Sequence, residues 1–165
     1  YTLVMKKVIF IGQAMPKVKR HPHEWPSLNT WLYSIGVSDD EIRQNFLYSA
    51  LVDYFPGLNG NSHRVPTKRE IENERGRLAK TIVGFRPEIV VPIGKLSISY
   101  CLDRVTNLLS DDIGKKFYSD PYRVLGYEVN VIPLPHPSGA STWKYRRENE
   151  VLLVKALRLL RNSLR

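Results

Sequence analysis

The sequence has little cysteine, few acidic residues relative to basic ones, and no long apolar run. Cys101 is the one cysteine in 165 residues. This excludes a disulfide, a thiolate zinc site and a cysteine-ligated iron–sulfur cluster. No apolar run approaches the roughly 18 residues that a membrane span requires. A phosphate-cradling G-x-x-x-x-G-K-[ST] loop is missing, as is a full dinucleotide fingerprint. There are no internal repeats, low-complexity tracts or linkers, so one domain over residues 1–165 is expected. The opening Tyr1-Thr-Leu-Val-Met-Lys-Lys lacks a signal-peptide h-region and a small-residue cleavage site. Met5 is expected as the native start, and the protein as soluble, cytoplasmic and from a reducing compartment.

What is present points to a globular domain with an anionic partner. Hydrophobic residues make up 42% and charged residues 25%, close to a soluble average, which excludes disorder and collagen-like structure. A chain of this size buries roughly 70% of its unfolded surface. Twenty-five Lys and Arg against 16 Asp and Glu give a net charge of +9, with a pI near 9.7. That surplus suggests a polyanion and by itself indicates only non-specific attraction.

Hydrophobic patterning predicts alternating strands and helices. Val8 to Gly12, Phe46 to Val52, Pro87 to Gly94 and Val129 to Leu134 are short apolar runs that read as buried strands. Pro26 to Gly36 carries Leu28, Trp31, Leu32 and Ile35 at helical spacing. Ser38 with Glu41, and Thr67 with Glu70, are capping boxes that open further helices. The second of these places Ile71, Leu78, Ile82 and Val83 on its apolar face. A helix is expected over Leu96 to Leu109, an exposed charged insertion over residues 110–123, and a last helix over about Lys144 to Leu164. In that last helix Val151, Leu152, Val154, Leu157 and Leu160 are read as inward-facing. The class is α/β, a three-layer α/β/α sandwich around a mainly parallel four-stranded sheet. Ligands of such sheets sit at the carboxyl ends of the strands. Here those ends are Gly12-Gln13-Ala14, Val52-Asp53-Tyr54, Ile93-Gly94-Lys95 and His136-Pro137-Ser138.

Two of those ends carry recognisable chemistry. His136 stands between two prolines, each of which fixes its own φ and restricts the residue before it. That rigidity suits a positioned hydrogen-bond donor or general acid, the plain alternative being a loop histidine with no task. Gln13 is not a base, but it can hold a water or an amide edge, and backbone N–H groups beside it can grip a carbonyl oxygen or an anion. Lys17, Lys19 and Arg20 follow the first strand, and Lys144, Arg146 and Arg147 follow the fourth. Either cluster suits phosphate contacts, or simply keeps the protein soluble. Trp143 reads equally as a wedge into DNA or as a core residue. Arg64 and Lys95 fit a phosphate or a helix acid. His21-Pro-His23 has no partners with zinc-ligand spacing, so no metal and no cofactor are expected.

Four segments in order, Ile11-Gly-Gln-Ala-Met-Pro16, Arg64-Val-Pro-Thr-Lys-Arg-Glu-Ile71, Pro87-Glu-Ile-Val-Val-Pro-Ile-Gly94 and Leu134-Pro-His-Pro-Ser-Gly139, resemble the motifs of the uracil-DNA glycosylase superfamily. The resemblance runs from about Val8 to Leu160 and is strongest to the small thermophilic branches, families 4 and 5. It implies metal-free base excision repair: a damaged base is flipped out of DNA and its N-glycosidic bond hydrolysed. His136 would then stabilise the departing base anion through its O2, with Gln13 and Asp53 as the other catalytic candidates. Gly12, Ala14, Trp25 and Ala50 would form the base pocket, Trp25 supplying the stacking aromatic. Pro137, Ser138, Gly139, Ser141, Trp143, Lys144, Arg146, Lys17, Lys19, Arg20 and Arg64 would contact DNA. The expected partner is DNA holding a deaminated or damaged base, uracil or related, bound by a monomer associated with the nucleoid.

The chain departs from the iron–sulfur branch at three points. Four cluster cysteines are reduced to Cys101, the first-motif Glu is Gln13, and the uracil-reading Asn is Ala50. These departures motivate an alternative, a catalytically silent nucleic-acid-binding module on the same fold. An unrelated α/β enzyme acting on a small nucleotide or phosphate ester ranks behind both.

Overall fold

The computed structural model describes residues 4–15, 25–60, 62–137 and 142–165. In chain order the elements are β1 (Val8–Ala14), α1 (Pro26–Ser34), α2 (Asp39–Asn45), β2 (Phe46–Val52), β3 (Leu58–Asn59), β4 (Ser62–His63), α3 (Lys68–Phe85), β5 (Ile89–Pro92), α4 (Lys95–Leu102), β6 (Phe117–Ser119), β7 (Val129–Val131) and α5 (Arg147–Ser163). The main sheet has five strands in the order β2-β1-β5-β7-β6. The first four are parallel, and β6 joins β7 antiparallel. β3 and β4 form a separate two-residue hairpin.

Strand alternation splits the apolar residues between two cores. Val8 and Phe10 of β1 face α1, α2 and α5, and join Leu28, Leu32, Ile42, Val91 and Leu160. Ile9 and Ile11 face α3 and α4, and join Ile71, Leu78, Ile82 and Cys101. The sheet is thus covered on both sides, as continuous apolar strands require. Both predicted capping boxes form. The Ser38 hydroxyl accepts from the Glu41 amide while the Glu41 carboxylate accepts from the Ser38 amide, and Thr67 and Glu70 repeat the arrangement.

Five expectations are corrected. The sheet has a fifth strand, because β6 pairs through its backbone and shows no apolar run. The segment 110–123 is not a simple exposed insertion, since Asp112, Ile113 and Tyr122 are buried. Asp112 enters the interior because Arg104 pairs with its carboxylate and the Thr106 hydroxyl donates to it at 2.8 Å. The helix expected to reach Leu109 ends at Leu102, where Asp103 takes a left-handed conformation, φ 53°. The final helix starts at Arg147, and its phase differs from the one read in the sequence. Leu153, Ala156, Leu157 and Leu160 are buried, whereas Val151 and Val154 are 64% and 50% exposed. At 3.6 residues per turn, Val151 lies nearly opposite Leu153. Val83 of α3 is likewise 49% exposed.

That phase is testable by urea denaturation. Leu160→Ala, at a fully buried position, should cost about 2–5 kcal/mol. Val151→Ala should stay within about 0.5 kcal/mol. Equal losses at the two positions would contradict the packing of α5.

Candidate active site

Parallel pairing brings the carboxyl ends of β1, β2 and β5 to one edge, with the Pro135-His136-Pro137 turn beside them. Gly12 is opposite Ala50 across the β1–β2 pair. Beyond β5 and β7 the chain continues as a bridge between Ile93 and Leu134. The Leu134 amide donates to the Pro92 carbonyl, and the Gly94 amide to the Leu134 carbonyl, each at 3.0 Å. His136 follows two residues later, half-buried between buried Pro135 and Pro137. The Lys144 ammonium donates to the Pro137 carbonyl at 3.0 Å. Partial desolvation holds the Lys144 pKa below its ordinary value. The histidine is therefore anchored on both sides, by the sheet bridge before it and by Lys144 after it.

Trp25 is the centre of the side-chain cluster. Its ring lies edge-to-face with His136 at 5.7 Å between centroids, and with Tyr48 at 6.1 Å. A β-carbon at Gly12 would stand 3.6 Å from the indole. The indole therefore packs over Gly12, whose lack of a side chain admits it, and Ala50 stands beside Gly12 on the next strand. Tyr48 is buried, and its hydroxyl donates to Asn29 Oδ1 at 2.6 Å. Burial pushes the phenol pKa well above its ordinary value. The Asn29 backbone N–H donates to the Trp25 carbonyl at 2.9 Å, closing the first turn of α1. Tyr48 and Asn29 went unnoticed in the sequence, although Tyr48 shares the Ala50 face at i, i+2 spacing and signals its side by that spacing.

Gln13 lies one residue past Gly12, and alternation turns its side chain to the opposite face of β1. There its Nε2 sits 2.9 Å from where a β-carbon of Gly94 would be. Asp53 follows β2, the edge strand, so three strand spacings, roughly 14 Å, separate its end of the sheet from that of His136. Asp53 is exposed, and its backbone amide donates to Glu74 at 2.7 Å. The structure therefore groups Gly12, Trp25, Ala50 and His136, sets Gln13 just behind them, and leaves Asp53 apart.

A polar clamp fixes the β2 exit to α3. The guanidinium of Arg64 grips Glu70 through two bonds of 2.7 and 3.0 Å, and the Tyr54 hydroxyl donates to the same carboxylate at 2.9 Å. Arg77 donates to the Ala50 carbonyl at 2.6 Å. Of the two alternatives read for Arg64, the structure shows the helix acid. Trp143 packs partly buried against the first core, and its carbonyl accepts from Asn149. Arg146 is exposed at the start of α5. Lys17, Lys19, Arg20, Ser138, Gly139 and Ser141 lie outside the described residues.

Elsewhere, a concavity of about 420 Å³ opens among Lys6, Arg86, Glu88, Tyr118, Tyr127 and Asn130. It lies at the amino ends of the strands, on the edge away from His136. Among the described residues, no helix is long and apolar enough to cross a membrane.

Comparison with known proteins identifies the family. A family model described as the uracil DNA glycosylase superfamily matches residues 2–161. A type-4 uracil-DNA glycosylase of Saccharolobus solfataricus is 33% identical over 82 residues, 48% of this chain and 37% of that relative. The chain thus matches little more than a third of that relative's length.

The clamp makes stability depend on acid pH. The Arg64 guanidinium, with the Thr67 amide and the Tyr54 hydroxyl, holds the Glu70 carboxyl far below the usual carboxylate range. A depressed carboxylate stabilises the fold above its unfolded pKa and loses that contribution as pH falls through the folded one. Glu70→Gln should therefore lower Tm by a constant amount between pH 6 and 8. Below about pH 4.5, the ordinary value, the gap should narrow steadily. A gap that stays constant down to strongly acid pH would remove the carboxylate from the clamp.

Proposed function

Because the chain belongs to the uracil-DNA glycosylase superfamily, we propose that it is a monofunctional DNA glycosylase. Its substrate is DNA from which one deaminated or damaged base, uracil or a close relative, has been flipped out. The observation that carries this reading is the placement of His136, fixed between two prolines and edge-on to Trp25, whose indole packs over Gly12.

Extrusion of the base costs a few kcal/mol, offset by stacking and hydrogen bonds in the pocket. Trp25 supplies the aromatic surface. As the glycosidic bond breaks, its electron pair leaves with the base and the sugar becomes oxocarbenium-like. His136 donates a hydrogen bond to the developing negative charge on the base, and the backbone amides at Gln13 and Ala14 add an oxyanion-hole type of stabilisation. Water then adds to the sugar and loses a proton to solvent. A dissociative path of this kind depends mainly on leaving-group stabilisation, so Gln13 in place of a carboxylate is compatible with turnover. Ala50 offers a methyl and no donor, so the β2 side contributes shape to base selection rather than a hydrogen bond. Lys144 and Arg146, with Pro137 beside them, are the residues assigned to the DNA backbone.

The iron–sulfur cluster of the family's cysteine-bearing branch does not fit these residues. Cys101 is the one cysteine; it is buried in the second core, and burial pushes its thiol up to about 12. No step is assigned to such a group.

Gln13 and Ala50 also favour a second reading, a module that binds DNA without cutting any bond. One assay separates the two. Single-turnover incubation with oligonucleotides carrying uracil, hypoxanthine, xanthine or hydroxymethyluracil, followed by alkali, should give a strand break at one lesion. His136→Ala should lower that rate by roughly 10²-fold or more with an unchanged Tm. Unchanged excision in the variant would refute the role of His136. Salt-sensitive binding with no abasic product on any lesion would instead establish the silent module.

Phosphate contacts supply a second test. The logarithm of affinity should fall linearly with the logarithm of salt, with a slope of about −0.9 per neutralised phosphate. Arg146→Ala should make that slope shallower by about 1 while leaving the excision rate at saturation unchanged. An unaltered slope would place Arg146 outside the DNA path.

A further inference from the structure

We propose that the Gln13 side chain is a positioning peg, seated in the space left by the missing β-carbon of Gly94, and that this contact aligns the β1 exit with His136. The inference rests on the glycosylase reading and deepens it.

Three observations meet at Gly94. First, its φ of +88° and ψ of 159° lie in a region that L side chains rarely adopt, so a side chain there is strained. Second, a β-carbon there would fall 2.9 Å from Gln13 Nε2, inside any ordinary contact distance. The far end of a glutamine moves easily, so such a carbon would displace the peg rather than break the fold. Third, the Gly94 amide donates to the Leu134 carbonyl at 3.0 Å, two residues before His136. Gly94 therefore touches the β1 exit through the Gln13 side chain and the His136 turn through its own backbone. It also begins α4, its carbonyl accepting from the Ile98 amide at 3.0 Å, which fixes it against the sheet.

The chemical consequence follows from what each neighbour does. The amides at Gln13 and Ala14 and the ring of His136 have to reach the same departing base. An error of about 1 Å between them costs on the order of 10²-fold in rate. β1 has no direct ladder to the strand leading into His136, because β5 lies between them. The Gln13–Gly94 contact spans that gap at the height of the site. Gln13 and Gly94 are thus positioning residues, and the glutamine needs no acid–base chemistry to matter.

A double-mutant cycle on the full chain tests this, using Gly94→Ala, Gln13→Ala and the double variant. The two singles should each lower the single-turnover excision rate at saturation by about 10-fold, and the double no further than the worse single. Half-saturation by DNA should stay within about twofold. Tm should separate the two singles: it should fall further in Gly94→Ala than in Gln13→Ala, because the strain at residue 94 is present with or without the glutamine. Rate losses that multiply to the product of the singles would overturn the proposal. So would a Gly94→Ala variant that fails to fold in either background, since glycine would then serve the backbone alone.

One measurement does not depend on excision. The side-chain amide resonance of Gln13 in a 1H–15N spectrum, identified by its loss in Gln13→Ala, should shift in Gly94→Ala. If it stays in place, the peg does not exist, whatever the protein does to DNA. If it shifts while the wild-type chain excises no base, the peg stands and the glycosylase reading falls.

Discussion

Parallel pairing of β1 with both of its neighbours is the constraint on which the rest depends. β1 matches β2 from Val8↔Phe46 to Ala14↔Val52, and β5 from Val8↔Ile89 to Ile11↔Pro92. With that register, Gly12 meets Ala50 under the Trp25 indole, and Gln13 reaches Gly94. A slip of one residue would exchange every side chain between the two faces. Phe10 would then enter the α3 side, and the glutamine would project toward the aromatic cluster. Burial of both faces makes such a slip prohibitive, so the same apolar residues that stabilise the domain also set the geometry of its reactive edge.

The site is then secured by polar contacts of modest individual strength. Tyr48 holds Asn29, which holds the first turn of α1 and with it Trp25. Lys144 holds the carbonyl after His136. Arg64 and Glu70 hold the β2 exit to α3. Each involves a group that would be costly to leave unpaired when buried or partly buried. Tyr48–Asn29 joins β2 to α1, Tyr54–Glu70 joins the β2 exit to α3, and Lys144–Pro137 closes the connection between β7 and α5. The aromatic wall, the histidine turn and the strand exits are therefore fixed by separate tethers, all anchored to the one sheet.

Much of this was legible in the sequence, for identifiable reasons. The four parallel strands are apolar runs closed by glycine or proline, and the two capping boxes are local signals that tertiary structure had no cause to override. The proline-flanked His136 announced its rigidity by residue type alone. What was missed has equally definite causes. β6 pairs through main-chain groups, which leave no mark on hydropathy. Val151 and Val154 suggested an inward stripe because valine is apolar, while Leu153 and Ala156 set the true phase. Asp112 reads as a surface charge until Arg104 and Thr106 are seen around it. Asp53 stands at a strand exit like the rest of the site, but strand order, which composition does not reveal, moves it to the far end of the row.

The division of the interior into two cores carries an evolutionary consequence. Trp25 and Tyr48 belong to the side covered by α1, α2 and α5, whereas Cys101 and most of α3 and α4 pack on the other. The sheet acts as a partition between them. Drift in the hidden side of α3, away from its clamp, can be absorbed there as changes in robustness, without redrawing the cluster around Trp25. Drift under the aromatic wall has no such refuge and would be read at once as altered selectivity. A domain arranged this way can retune its tolerance to temperature and the shape of its sheet-edge site as nearly separate traits.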